Sequence, residues 1–213
     1  RRRRISKCGA ESMSNITIPK FPGFRSSTFG LETNTRRFTS PESQYVQRQL
    51  LAGSKWKATY SLPRMNRDQA APWQAFFLLL EGGVNTFDAY DPDAVIPRGI
   101  ASGAPLVAGG SQTGSSLTTD GWTASATNIL MAGDYISVNG ELKMITANVS
   151  SNGSGEATLT FKPALRAAPA DNSPITVSGC TCTMILDSDS QAMWSSDYNG
   201  IYDELTFTAH EVF

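Results

Sequence analysis

Only one stretch of this chain repeats its apolar side chains at helical spacing; every other patterned run alternates with a period of two. Trp73, Phe76, Phe77 and Leu80 recur three and four residues apart, whereas Trp56, Ala58, Tyr60 and Leu62 alternate with Lys57, Thr59 and Ser61. A chain of 213 residues patterned in this way buries its apolar faces by pairing strands, so the fold class is mainly β. At this size folding removes about 70% of the chain's surface from water, and a core forms without disulfide staples.

The helical stretch predicts its own limits. Asn66 is placed to cap it with Gln69 three residues on, and Gly82-Gly83 to stop it. Pro72 lacks a backbone donor, which predicts a loose first turn over 66–71 and a firm helix from about 72 to 81. Strands are expected at 45–50 and 56–62, paired as a hairpin across Leu51-Ala52-Gly53-Ser54-Lys55, and again at 84–90. The strongest local signal is Tyr135–Val138 and Glu141–Thr146 joined by Asn139-Gly140, the dipeptide of a type I′ turn. A third strand over 156–161 is expected to stop at Pro163, and further strands at 175–177, 181–186, 193–195 and 205–207. Residues 97–128 are rich in Gly, Ser, Thr and Ala and read as loop or short irregular strand.

The resulting organisation is a basic head (1–12), a β-sandwich with one flanking helix (13–96, completed by strands in 201–213), and a second, smaller antiparallel half-barrel or meander (97–200) containing the hairpin 134–147. The head carries +4 of a net charge of −1, leaving −5 for the remainder. No second basic patch continues it, so it reads as a segment ahead of a start at Met13 rather than as a nucleic-acid arm, and no specific nucleic-acid binding is expected. The longest apolar run, Phe76–Leu80, is far short of the ~20 residues of a membrane helix, so no membrane insertion is expected. Charged residues are only 17% of the chain, while Ser and Thr number 44, a balance that suits β-rich assembly domains.

Candidate chemistry is sparse. The one imidazole, His210, argues against a serine triad or a multi-histidine metal site. Asp88, Asp91 and Asp93 lack the spacing of a calcium loop and read as a turn around Pro92, and the glycines at 109–114 lack the lysine of a phosphate loop. Cys180 and Cys182 lie on one face of an expected strand and read, like Cys8, as reduced thiols suited to a bacterial cytoplasm. No catalytic residue, metal or cofactor is therefore expected, and the chain does not read as an enzyme. Two sets of residues read as binding elements. Ile16, Ile18, Phe21 and Phe24, punctuated by Pro19 and Pro22, form an extended arm able to lie on a neighbouring subunit. Trp122, Trp194, Tyr198 and Tyr202 could be surface platforms, in which case Asp187, Asp189, Asp197 and Asp203 would hold calcium or sugar hydroxyls.

In this order, the segments 56–65 (WKATYSLPRM), 73–83 (WQAFFLLLEGG), Tyr90-Asp91-Pro92-Asp93, Gly121-Trp122, Gly133-Asp134-Tyr135-Ile136 and 163–169 (PALRAAP) together resemble the distal tail, or baseplate hub, proteins of long-tailed bacteriophages. The resemblance covers most of residues 40–170 and nothing after Gly179. It implies a structural protein of the virion tail, assembled in the host cytoplasm. Six copies would form a ring joining the tail tube protein to the tip proteins, with a second β domain outside and no catalytic residues. Other phage tail, tail-terminator or head-tail joining proteins remain alternatives, as does a carbohydrate-binding β-sandwich.

Overall fold

A computed structural model describes residues 13–213, so the basic head lies outside the described residues. In chain order the elements are β1 (Asn15–Ile16), β2 (Ser26–Glu32), β3 (Thr35–Thr39), β4 (Val46–Leu50), β5 (Lys55–Leu62), α1 (Arg67–Leu80), β6 (Thr86–Ala89), β7 (Gly103–Val107), β8 (Gly114–Trp122), β9 (Tyr135–Val138), β10 (Glu141–Ile145), β11 (Ala157–Leu165), β12 (Ile175–Thr176), β13 (Cys182–Leu186) and β14 (Leu205–Glu211). The protein is mainly β with one α-helix and several sheets.

The first sheet has the order β1-β6-β13-β14-β5-β2, antiparallel except for the short β1–β6 pair. Its inner face follows the period-two pattern of the sequence, since Trp56, Ala58, Tyr60 and Leu62 of β5 are buried and Lys57 is exposed. Helix α1 closes that face with Ala70, Trp73, Phe76, Phe77 and Leu80. Phe77 meets Phe207 of β14 edge-on at 5.1 Å, and Phe76 meets Phe87 of β6 at 5.5 Å. The helix starts regularly at Arg67 instead of at Pro72. Asn66 accepts from the Gln69 backbone and Gln69 returns a bond to Asn66, so both ends of the capping box offset the donor missing at Pro72.

The second sheet, β12-β9-β10-β11-β8-β7, curls into a nearly closed barrel. Leu106 bridges to Pro174 and Val107 donates to Ser173 at 3.0 Å, joining the two ends. Leu117, Ile129, Leu130, Ile136, Val138, Leu159 and Phe161 fill its interior. The Asn139-Gly140 turn is present, with φ of 52° and 75°, and joins β9 to β10 as expected.

Four expectations need correction. Residues 97–128, read as loop or short irregular strand, contain the short, register-shifted β7 and the nine-residue β8, which turn a half-barrel into a barrel. β11 continues through Pro163 because its register against β8 shifts there, and a bulge is where a strand tolerates proline. β4 pairs with β3, not with β5, whose partners are β2 and β14. The chain rejoins the first sheet at Cys182, so 182–200 belongs with that sheet; residues 193–195 form no strand and follow a 3₁₀ turn at Asp189–Ala192.

Candidate assembly surface

Among the described elements only the β3–β4 hairpin is exposed throughout. Every residue of both strands is exposed, including Phe38 (63%) and Leu50 (66%), as is Tyr45 (70%) beside them. It stands on a short stem in which Leu51 donates to the Asn34 carbonyl at 2.8 Å and the Asn34 side chain donates to Ala52 at 3.0 Å. A bend at Ser40–Tyr45, with Gln44 in the left-handed region, closes its tip. An isolated two-stranded ribbon is marginal in water, because neither of its faces is covered. Its charges make matters worse: Arg37 and Arg48 sit directly opposite each other, a pairing of like charges that costs stability. Neither forms an ion pair among the described residues.

The arm expected from the sequence is largely used within the protomer. Ile18 is buried in the first core, Ile16 and Phe24 pack against it, and Phe24 stacks on Tyr60 at 4.3 Å; only Phe21 is exposed. The expected platforms divide likewise. Trp122 is buried inside the barrel and donates to Thr119 at 2.8 Å, so it presents no face to solvent. Trp194 and Tyr202 are half-buried and meet edge-on at 6.0 Å, with Trp194 also against Phe77. Tyr198 alone is fully exposed, on the turn that Asp197 holds by accepting from Asn199 and Ile201. No shared platform results, and the four aspartates are dispersed. Asp187 pairs with His210 and Lys57, and Asp197 and Asp203 pair with Arg64. Burial would raise the Asp187 carboxyl, but His210 and Lys57 outweigh it and hold the group below its ordinary range. Among the described residues no three metal-ligating side chains gather. Asp91 accepts from the Asp93 backbone at 3.2 Å, the turn geometry expected around Pro92.

Where the barrel meets the sheet lies a charged cluster with no signature in the sequence. Lys143, fully buried, donates to Glu141 at 2.6 Å and to the Ala164 carbonyl at 2.9 Å. Glu141 also accepts from the backbones of Arg166 and Ala167. Arg166 of the barrel reaches Glu211 of β14 with both terminal nitrogens, and Glu211 accepts from the Trp56 backbone at 3.1 Å. Burial pulls the Lys143 amine below its usual range despite Glu141. The Glu141 carboxyl, which burial alone would raise, is held low by Lys143 and the two backbone donors. Burial would also lower the Arg166 guanidinium, but Glu211 outweighs it. Two positive and two negative charges cancel, and the bidentate pair spans the two bodies. The neighbouring thiols are inert at neutral pH, since burial pushes Cys180 up to about 11 and Cys182 higher still.

The sequence held a signal for the hairpin in Ser40-Pro41-Glu42-Ser43, a turn cluster between two short β-prone runs. Compared with models of known protein families and with curated proteins, the sequence matches none.

Proposed function

We propose that this protein is a structural subunit of a bacteriophage tail that assembles head-to-tail into a closed ring at the tail's distal end, between the tube and the tip proteins. The observation that carries the reading is the β3–β4 hairpin. It is a largely polar, arginine-bearing ribbon with three apolar side chains, Phe38, Val46 and Leu50, which its own protomer leaves exposed on both faces, as a subunit arm would be. A ring made by one chain needs a heterologous contact, and an arm that reaches away from its own core supplies half of one. The charge distribution fits a conduit for DNA, because the described residues total −5 and would not retain a passing phosphate backbone. The mainly β composition and low charge density agree with the resemblance drawn from residues 40–170.

Replacing residues 35–50 by a short glycine turn between Asn34 and Leu51 tests the reading. Light scattering and negative-stain imaging should show closed rings for the full chain, and a folded monomer with an unchanged melting temperature for the deletion. Rings that survive the deletion, or a full chain that stays monomeric at high concentration, would refute it.

A further inference from the structure

Helix α1 is apolar on both sides over its last three turns. Its inner face fills the first core, yet its outer face, Ala71, Pro72, Ala75, Leu78 and Leu79, is exposed, with Leu78 at 76% and Leu79 at 56%. No charged residue follows Asp68 within the helix. A surface helix ordinarily turns charge to water, and one that is apolar all round is a buried helix whose cover is missing. Ala71 and Ala75 lie one turn apart and make a flat strip beside the two leucines. The helix C-terminus is acidic: it has no basic residue in the last turn, Glu81 caps it, and Asp189 lies beside Gly82, while its last carbonyls accept from the Glu81 backbone and from Asn85.

We infer that this outer face of α1 is the seat for the β3–β4 hairpin of a second copy of the chain; the inference rests on the ring reading above and says where the arm lands. Three observations favour that occupant. The first is placement: β2, from which the hairpin hangs, ends the first sheet on one side, while α1 packs against β1 at the other end. Because α1 covers the face of that sheet, with Phe76 on Phe87 and Phe77 on Phe207, while the hairpin leaves its edge, donor and receptor are different surfaces of one protomer, as a head-to-tail contact requires. The second is charge. The hairpin carries +2 and the rest of the described chain −7. The hairpin face that bears Val46 and Leu50 also bears the opposed Arg37 and Arg48. Set on α1, its aliphatic side chains would cover Ala71, Ala75 and Leu78 while the two guanidiniums met the carboxylates of Glu81 and Asp189 at the helix end, relieving the repulsion between them. The third is apolar surface. On the hairpin face just described Val46 and Leu50 are 47% and 66% exposed, and they answer the exposed Leu78 and Leu79 of the helix.

Cross-linking between variants that add one exposed cysteine to the buried Cys180 and Cys182 decides the matter. Val46→Cys and Leu78→Cys, each in full-length protein carrying Cys8→Ser, are treated with a short bismaleimide alone and as an equimolar mixture, with light scattering run in parallel. Both positions are exposed, so neither variant disturbs the core. The expected result is a covalent dimer in the mixture, its loss in either variant alone, and a ladder of linked species for V46C/L78C. Oligomers by scattering without a cross-link in the mixture would overturn this seat while leaving the ring reading standing. A covalent dimer of V46C alone would show hairpin meeting hairpin and overturn it also. Monomers at every concentration would overturn both.

Discussion

Removing the amine of Lys143 tests the barrel side of the charge cluster, because Lys143 bonds to Glu141 and the Ala164 carbonyl and bears on the Arg166–Glu211 bridge through Glu141, which accepts from the Arg166 backbone. Lys143→Met keeps most of the aliphatic stem, so the loss is confined to the two bonds of Nζ, at 2.6 Å to Glu141 and 2.9 Å to the Ala164 carbonyl. Removing one partner of a buried pair costs about 3–5 kcal/mol, because the other charge stays buried and uncompensated. Here Glu141 keeps two backbone donors, each at 3.1 Å, which places the expected loss near the lower end, about 3 kcal/mol. Adding Glu141→Gln should recover part of it, since the amide oxygen still accepts a backbone bond and no net charge remains; the double variant should cost about 1–2 kcal/mol. Urea titrations at neutral pH followed by tryptophan fluorescence read all three variants, and Trp56 reports locally because its indole donates to Leu142 across the junction at 2.9 Å. A loss below about 1 kcal/mol for K143M, or a double variant no better than the sum of the singles, would refute the assignment of this cluster as a coupled lock.

The same cluster fixes a pH dependence. Glu141 titrates below its ordinary 4.5 in the folded chain, so its stabilisation is complete above that pH and fades as pH falls through the depressed value. Urea midpoints should drop on acidification below about 4.5, and E141Q should flatten that limb. Lys143 acts at the other end: between its lowered value and 10.5 the unfolded chain holds the extra proton, so stability rises with pH there, and K143M should remove that slope. Two glycines with similar φ, +76° at Gly121 and +75° at Gly140, should respond differently to alanine. At Gly140 the new Cβ meets open space and the cost is about 1 kcal/mol, whereas at Gly121 it overlaps the Ala104 carbonyl and the cost is about 2–4 kcal/mol, read as shifts in the thermal midpoint.

What was legible in the sequence is what short-range chemistry decides. Four alternating residues of β5, the Asn66–Gln69 box and Asn139-Gly140 each specify their conformation within a few positions, and each stands where expected. Partner choice was not legible. β4 is flanked by turn-forming segments on both sides, and nothing local says that Ser40–Gln44, rather than Leu51–Lys55, folds it back. β8 escaped notice because Thr119 and two glycines occupy a strand whose inward positions would otherwise announce themselves; Thr119 is tolerated inside by donating to the Ala157 carbonyl at 2.8 Å. The assembly surface followed the same divide. Apolar residues in 16–24 look like an arm until Phe24 is seen stacked on Tyr60, and Phe38 and Tyr45 look like ordinary strand residues until no core receives them.

The barrel's point of insertion explains why a charged lock is needed. It leaves the first sheet after β6 and returns at β13, two strands that pair side by side, with Ala89 opposite Cys182. Two adjacent strand ends form a narrow stalk about which the inserted body can swing, since relative motion of domains is the default unless their interface is large. The contact beyond the stalk is a small aromatic group, Tyr135 on Phe29 at 5.9 Å and on Trp56 at 5.5 Å, to which the Arg166–Glu211 bridge adds directional bonds. Rings are non-directional in their attraction and permit small rotations, whereas a bidentate guanidinium–carboxylate pair fixes two points at once. The lock therefore contributes orientation more than net affinity, and its removal should loosen the barrel before it unfolds the sheet. In Arg166→Met, which removes the bridge itself, hydrogen exchange should accelerate first in β9–β11 and β14, leaving β5 and α1 as protected as before. Uniform acceleration across both bodies would mean that the cluster serves global stability alone.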